Sequence, residues 1–169
     1  MNSSDLQTYL YADDGLIPNH PTLPVLHYRG VMQRPAETEA CFNKNGWLNS
    51  WTNGVFSYHH YHSNTHEVLG IIRGNAILQL GGSKGDQLKV QAGDVIVLPA
   101  GTGHKKCSAS ADFKVVGAYP DGMDYNVRTG EQGERPQVLE EITRVPLPTT
   151  DPVFGANGPL LHQWNSDLI

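Results

Sequence analysis

Runs of basic residues are missing from this chain. Its 169 residues include 12 Lys and Arg against 17 Asp and Glu, the net charge is −5, and no basic run exceeds Lys105-Lys106. A nucleic-acid partner is therefore not expected. Long apolar runs are missing too: Val95-Ile96-Val97-Leu98 ends at Pro99, far short of the ~20 residues a helix needs to cross a bilayer. No membrane partner is expected. Cys41 and Cys107 are too few and too isolated for a disulfide framework or a thiolate metal site. Both read as buried apolar residues. The stretch from Met1 to Gly15 has neither the basic nor the apolar segment of a secretion signal, so the expected location is cytoplasmic. Gly81-Gly82-Ser83-Lys84-Gly85 has the Gly-x-Ser-x-Gly spacing but no strand-to-helix context, so no nucleophile elbow is read. The glycine-rich stretch from Gly81 to Asp86 lies between two expected strands and reads as a hairpin, not a phosphate loop.

Against these absences stand 18 Gly and 11 Pro, scattered along a chain of one-domain length. Such punctuation suits many short strands. Segments 47–51, 55–62, 68–72, 76–80, 88–91, 95–98 and 113–119 each read as a strand bounded by turn residues, which suggests an all-β sandwich, jelly roll or barrel. Three parts are expected within one domain. Residues 1–45 form a proline-spaced arm and a short helix opened by Pro35; residues 46–120 form the β core; residues 121–169 form an extension whose helix starts at Pro136 and stops at Pro146. An arm of this kind can pair with a neighbouring subunit's sheet, and a homodimer is expected.

Histidine is what composition leaves conspicuous: 8 residues, five of them between His59 and His104. On a strand, His60 and His62 share a face at a spacing that suits one metal ion. Glu67, past a short turn, can complete a two-histidine, one-carboxylate set on a first-row metal. His104 follows the turn Pro99-Ala100-Gly101-Thr102-Gly103 and can return from the opposite sheet as a further imidazole. His66 is a rival to Glu67 for the shell. His59 and Tyr61 alternate away from the site, whereas Tyr58 and Lys106 share the parity of His60 and His104. His20, His27 and His162 read as surface or structural residues.

Gly54, His60, His62, Glu67 and Gly74, separated by five, one, four and six residues, resemble the first signature of the cupin superfamily. Gly93, Pro99, Gly101 and His104, separated by five, one and two residues, are similar to its second signature. Ser108 stands where that signature usually ends in Asn, which touches only a turn-stabilising side chain. The two motifs span residues 54–108, and beyond them the chain resembles a group of small bacterial single-domain cupins without an assigned reaction. The resemblance implies a double-stranded β-helix, a jelly-roll barrel with short flanking helices. It also implies one divalent transition metal ion (Fe, Mn, Ni, Co, Cu or Zn) held by His60, His62, Glu67 and His104. Gly74 and Gly93 would sit at turns, with Pro99 and Gly101 shaping the turn that aims His104.

Such a shell leaves positions open for a small-molecule substrate or dioxygen. The expected function is a mononuclear metal-dependent enzyme acting on a small molecule, with the oxygenase label resting on family analogy. A metal-dependent isomerase or lyase and a non-catalytic binding or sensor module are the alternatives. Arg73 and Lys106 are the expected grips for a substrate carboxylate at the barrel mouth.

Overall fold

The computed structural model describes residues 5–165; residues 1–4 and 166–169, the outer ends of the expected arm and tail, lie outside the described residues. The strands are β1 (Leu6–Tyr9), β2 (Val25–Tyr28), β3 (Trp47–Asn53), β4 (Glu67–Arg73), β5 (Asn75–Leu80), β6 (Asp86–Gln91), β7 (Val95–Leu98), β8 (His104–Ala109) and β9 (Lys114–Pro120). Helices α1 (Thr38–Lys44), α2 (Gln137–Arg144) and α3 (Pro159–Gln163) flank them. A six-stranded sheet runs in the order β1-β2-β7-β4-β9-β3 and a three-stranded sheet in the order β6-β5-β8. The strands pair antiparallel throughout. This is a jelly-roll barrel, as the sequence motifs imply.

Side chains on a strand alternate between faces, and here both faces of the larger sheet are buried. Leu69, Ile71, Ile96, Leu98 and Val115 point inward and meet Leu78, Leu80, Leu88 and Val90 of the smaller sheet. Val68, Val95, Val97, Val116 and Ala118 point outward and are covered by Phe42 of α1, Leu160 of α3 and Trp164. The unbroken apolar run of β7 follows from this double burial. Helix α2 covers a third cluster, in which Val138 and Ile142 pack on Ile17, Tyr61 and Ala100. These last two residues belong to the loops that carry the histidines.

Several expectations are corrected. Segment 55–62 is not a strand: it forms no ladder, only isolated bridges from His60 to His104 and from Tyr61 to Arg128 and single backbone bonds at Phe56 and His62. Its alternating rings follow the paths of those two bridges, not a ladder. Residues Leu6–Tyr9 form a strand that the sequence does not announce, and His104–Ala109 is the strand of the opposite sheet from which His104 is expected to return. The N-terminal arm adds two strands to this chain's own larger sheet, through β1 with β2 and β2 with β7, and leaves β1 as its edge. Cys107 is exposed and Cys41 only half-buried.

Candidate metal centre

His60 and His104 meet as a backbone pair. His60 N–H donates to the His104 carbonyl at 3.2 Å, and His104 N–H returns the bond to the His60 carbonyl at 2.9 Å. This two-bond clasp places their rings 4.0 Å apart. The turn before His104 is fastened to the same segment, because Gly101 N–H donates to the His62 carbonyl at 2.8 Å. Gly101 has φ +89°, and a Cβ there would run into Ile142 and the Asn19 carbonyl. Only glycine makes that turn without strain. His62 completes the cluster, and ligand nitrogens of His60, His62 and His104 all lie within 4.8 Å of one another.

Glu67 opens β4 from the larger sheet and faces the same centre as β8 of the smaller one. Its Oε2 lies 3.3 Å from His62 Nε2 and its Oε1 lies 3.3 Å from His104 Nε2. The carboxylate is tied from behind: the Tyr119 hydroxyl donates to Oε2 at 2.7 Å, and Trp51 Nε1–H donates to the Tyr119 oxygen at 2.8 Å. Trp51 pairs with Gly117 across β3 and β9, and a Cβ on Gly117 would collide with its indole. The missing side chain is what lets Trp51 lie over β9 and reach Tyr119.

His66 faces the other way. Its Nδ1 accepts the Ala100 N–H at 2.9 Å, and its ring packs 4.8 Å from Trp164 and 6.3 Å from His20. The strand alternation that turns Glu67 inward turns His66 out. His20 caps its own turn, its Nδ1 accepting from Thr22 and Leu23 N–H. His27 is buried against Asp94 at 3.1 Å. Tyr61, fully buried beside His60 and His62, sends its hydroxyl to Glu134.

The three imidazoles share one tether. His60 Nδ1 donates to the Tyr58 carbonyl, His62 Nδ1 to the Asn126 carbonyl and His104 Nδ1 to the Thr102 carbonyl. A carbonyl only accepts, so each Nδ1 carries a proton and each Nε2 is left as the coordinating atom. Nitrogen lone pairs then converge on a carboxylate, an arrangement of acceptors facing acceptors. A cation between them removes the repulsion, so the donor set fits a metal ion. Burial, reinforced by His104, pushes His60 down to about 3. Burial also pushes His62 down, but Glu67 beside it overrides this and raises it above the usual histidine value. Glu67 itself would be pushed up by burial, yet His62 and His104 hold it well below the ordinary carboxylate range.

Asn126 is the part of the site that sequence reasoning missed. Besides its carbonyl on His62, its Oδ1 accepts Ser63 N–H at 2.8 Å and its Nδ2 donates to Ser63 Oγ at 2.8 Å. Tyr119 and Trp51 were equally hidden, since only strand register brings them to Glu67. Next to Asn126, Tyr125 stacks 4.7 Å from Tyr119 and lies edge-on to His62 at 5.4 Å.

A cavity of about 350 Å³ opens onto the histidines. Trp51, Val55 and Leu69 form its wall, and Phe56, Tyr125 and Val127 also line it. Among the described residues no Lys or Arg lines it. The expected grips are therefore corrected: Arg73 ends β4 at an exposed position, and Lys106 is held by its backbone N–H to the Phe56 carbonyl at 2.8 Å. Tyr58 is exposed and stacks on Phe56 at 4.9 Å outside the cavity.

A family model described as "Cupin domain" matches residues 51–113. Over 160 residues the chain is 47% identical to "Uncharacterized protein YjlB" of Bacillus subtilis (strain 168), covering 95% of this chain and 97% of that protein. Among solved structures it is similar to a DUF861 family protein from Thermotoga maritima, with 18% identity, a TM-score of 0.35 and coverage of 48% of this chain and 85% of that one. It is also similar to an acireductone dioxygenase from Bacillus anthracis, with 20% identity, a TM-score of 0.35 and coverage of 56% and 60%. No helix among the described residues is long and apolar enough to cross a membrane.

Proposed function

This chain belongs to the cupin superfamily, and from that premise we propose that it is a mononuclear metal-dependent enzyme of the oxygenase type acting on a small organic molecule. His60, His62, His104 and Glu67 hold one divalent first-row ion. The observation that carries this reading is the common tether: all three Nδ1 atoms are engaged by backbone carbonyls, which commits all three Nε2 atoms to one centre beside a carboxylate. A metal in that set supplies Lewis-acid or dioxygen chemistry at its exchangeable positions. The chain's own contribution is orientation and dryness. Tyr119 and Trp51 fix the carboxylate, and burial of His60, His62, Glu67 and His104 keeps the centre from bulk water. A largely apolar chamber favours the oxygenase over the Lewis-acid isomerase or lyase, because dioxygen partitions into hydrocarbon surroundings and water does not.

The deciding experiment has two stages. Elemental analysis of protein purified without a metal-affinity column is expected to find close to one transition ion per chain in the wild type and a substoichiometric amount in His60→Ala and His104→Ala. The Fe(II)-loaded protein is then screened for substrate-dependent oxygen uptake on catechols, thiols and oxo-acids. Turnover that persists under anaerobic conditions overturns the oxygenase assignment in favour of Lewis-acid chemistry. Wild type without metal overturns the whole reading.

A further inference from the structure

The same cavity also speaks to what enters it. Three neutral imidazoles and one carboxylate leave a divalent ion with a single uncompensated positive charge, which one anionic oxygen group neutralises. Nothing else along the wall offers a second positive partner, since no Lys or Arg lines the cavity among the described residues. A second buried anion there would stand unpaired, its lost hydration not made good. The wall beyond the histidines and Glu67 is mainly apolar: Trp51 has spent its N–H on Tyr119, Val55 and Leu69 offer no polar atoms, and the polar side chains of Thr52, Asn53 and Tyr125 are uncharged. Phe56, Tyr125 and Val127 remain 50%, 43% and 41% exposed while lining the cavity. Apolar surface left open around a chamber is the mark of a ligand site. The volume, about 350 Å³, lies near the lower end of the ~300–1,000 Å³ range of small-ligand pockets.

We propose that the molecule bound here is a small, mostly hydrocarbon monoanion, with its one oxygen headgroup at the histidines and an aromatic or aliphatic body against Trp51, Leu69 and Phe56. Diacids and phosphorylated metabolites, which need a second cationic partner, are excluded as the main ligand class. This inference builds on the metal-centre reading above and names the chemical class that centre accepts.

The test uses the full chain loaded with Zn(II), whose metal content is measured first. Benzoate, acetate and isophthalate are then titrated by calorimetry and by Trp fluorescence. Burial of the ring is expected to make benzoate at least ~10-fold tighter than acetate. The second carboxylate of isophthalate, forced against an apolar wall, is expected to weaken binding at least ~10-fold relative to benzoate. Val127→Lys, at a position 41% exposed, is expected to narrow the gap between benzoate and isophthalate at least ~5-fold by pairing that carboxylate. Acetate binding as tightly as benzoate, isophthalate matching benzoate in the wild type, or Val127→Lys leaving their ratio unchanged overturns this proposal while leaving the metal centre intact. A protein that takes up no Zn(II) overturns both, and the metal measurement separates the two failures.

Discussion

Tyr119 can only donate to Glu67. Its oxygen already accepts the Trp51 N–H at 2.8 Å, so its own proton is directed to Glu67 Oε2 at 2.7 Å. The carboxylate is thereby held as an anion aimed at the histidines, with one oxygen committed before any ligand arrives.

Tyr119→Phe is expected to weaken metal affinity by roughly 10–100-fold, the usual effect of deleting a partner behind a metal ligand. The fold should survive with a loss of about 1–3 kcal/mol, the cost of leaving one buried acceptor unmet. Competition against a metal-chelating dye measures the first effect and denaturant unfolding the second. Unchanged affinity would show that Glu67 needs no support.

Gly117→Ala should act at the same place from a different direction. The added methyl meets the Trp51 indole, and overpacking of this kind costs about 1–3 kcal/mol. With Trp51 displaced from Tyr119, its fluorescence should shift to the red and metal affinity should fall as in Tyr119→Phe. A destabilised variant with wild-type affinity and emission would separate Trp51 from the site.

Chelator should lower the melting temperature of the metal-loaded wild type, because an ion bound only by the folded state stabilises it by mass action. His60→Ala and His62→Ala should melt alike with and without chelator. Protons compete with the metal for the histidines, and Glu67 raises His62 above the free value of 6.5, so metal affinity should begin to fall at a pH above that value. Metal titrations at a series of pH values locate the onset; an onset below 6 contradicts it.

Stability of the metal-free protein should fall on mild acidification. Burial lowers His20 to about 4 and His60 and His66 to about 3. Between those values and 6.5 the unfolded chain binds protons that the folded chain refuses, so stability is present above 6.5 and is lost as pH drops. Each such histidine steepens the slope by up to ~1.4 kcal/mol per pH unit. The raised His62 keeps its contribution below 6.5 and Glu67, being lowered, keeps its own above 4.5, so neither reverses the trend between 4.5 and 6.5. Melting temperatures read across that interval decide the matter, and a flat profile rejects it.

What the sequence made legible was the set of residues that converge, because glycines and a proline at fixed offsets can place His60, His62, Glu67 and His104 without knowledge of the rest. Alternation at the start of β4 turns Glu67, and not His66, toward the histidines, and that depends on where the strand begins. Segment 55–62 looked like a strand because its rings alternate, yet isolated bridges and single backbone bonds hold it without a ladder. The supports were illegible for a different reason. Trp51 meets Tyr119 through the pairing of β3 with β9, and Asn126 meets Ser63 through a loop whose path no local pattern encodes. Long-range register is invisible to a reading that moves along the chain.

Asn126 grips Ser63 with its side chain and His62 with its carbonyl, while its neighbour Tyr125 roofs the chamber. Doorway and anchor are therefore one mechanical part. A change that swings this strap aside to admit a bulkier guest also slackens an imidazole, so widening the entrance and keeping the ion are opposed demands on the same five-residue stretch from Asp124 to Arg128.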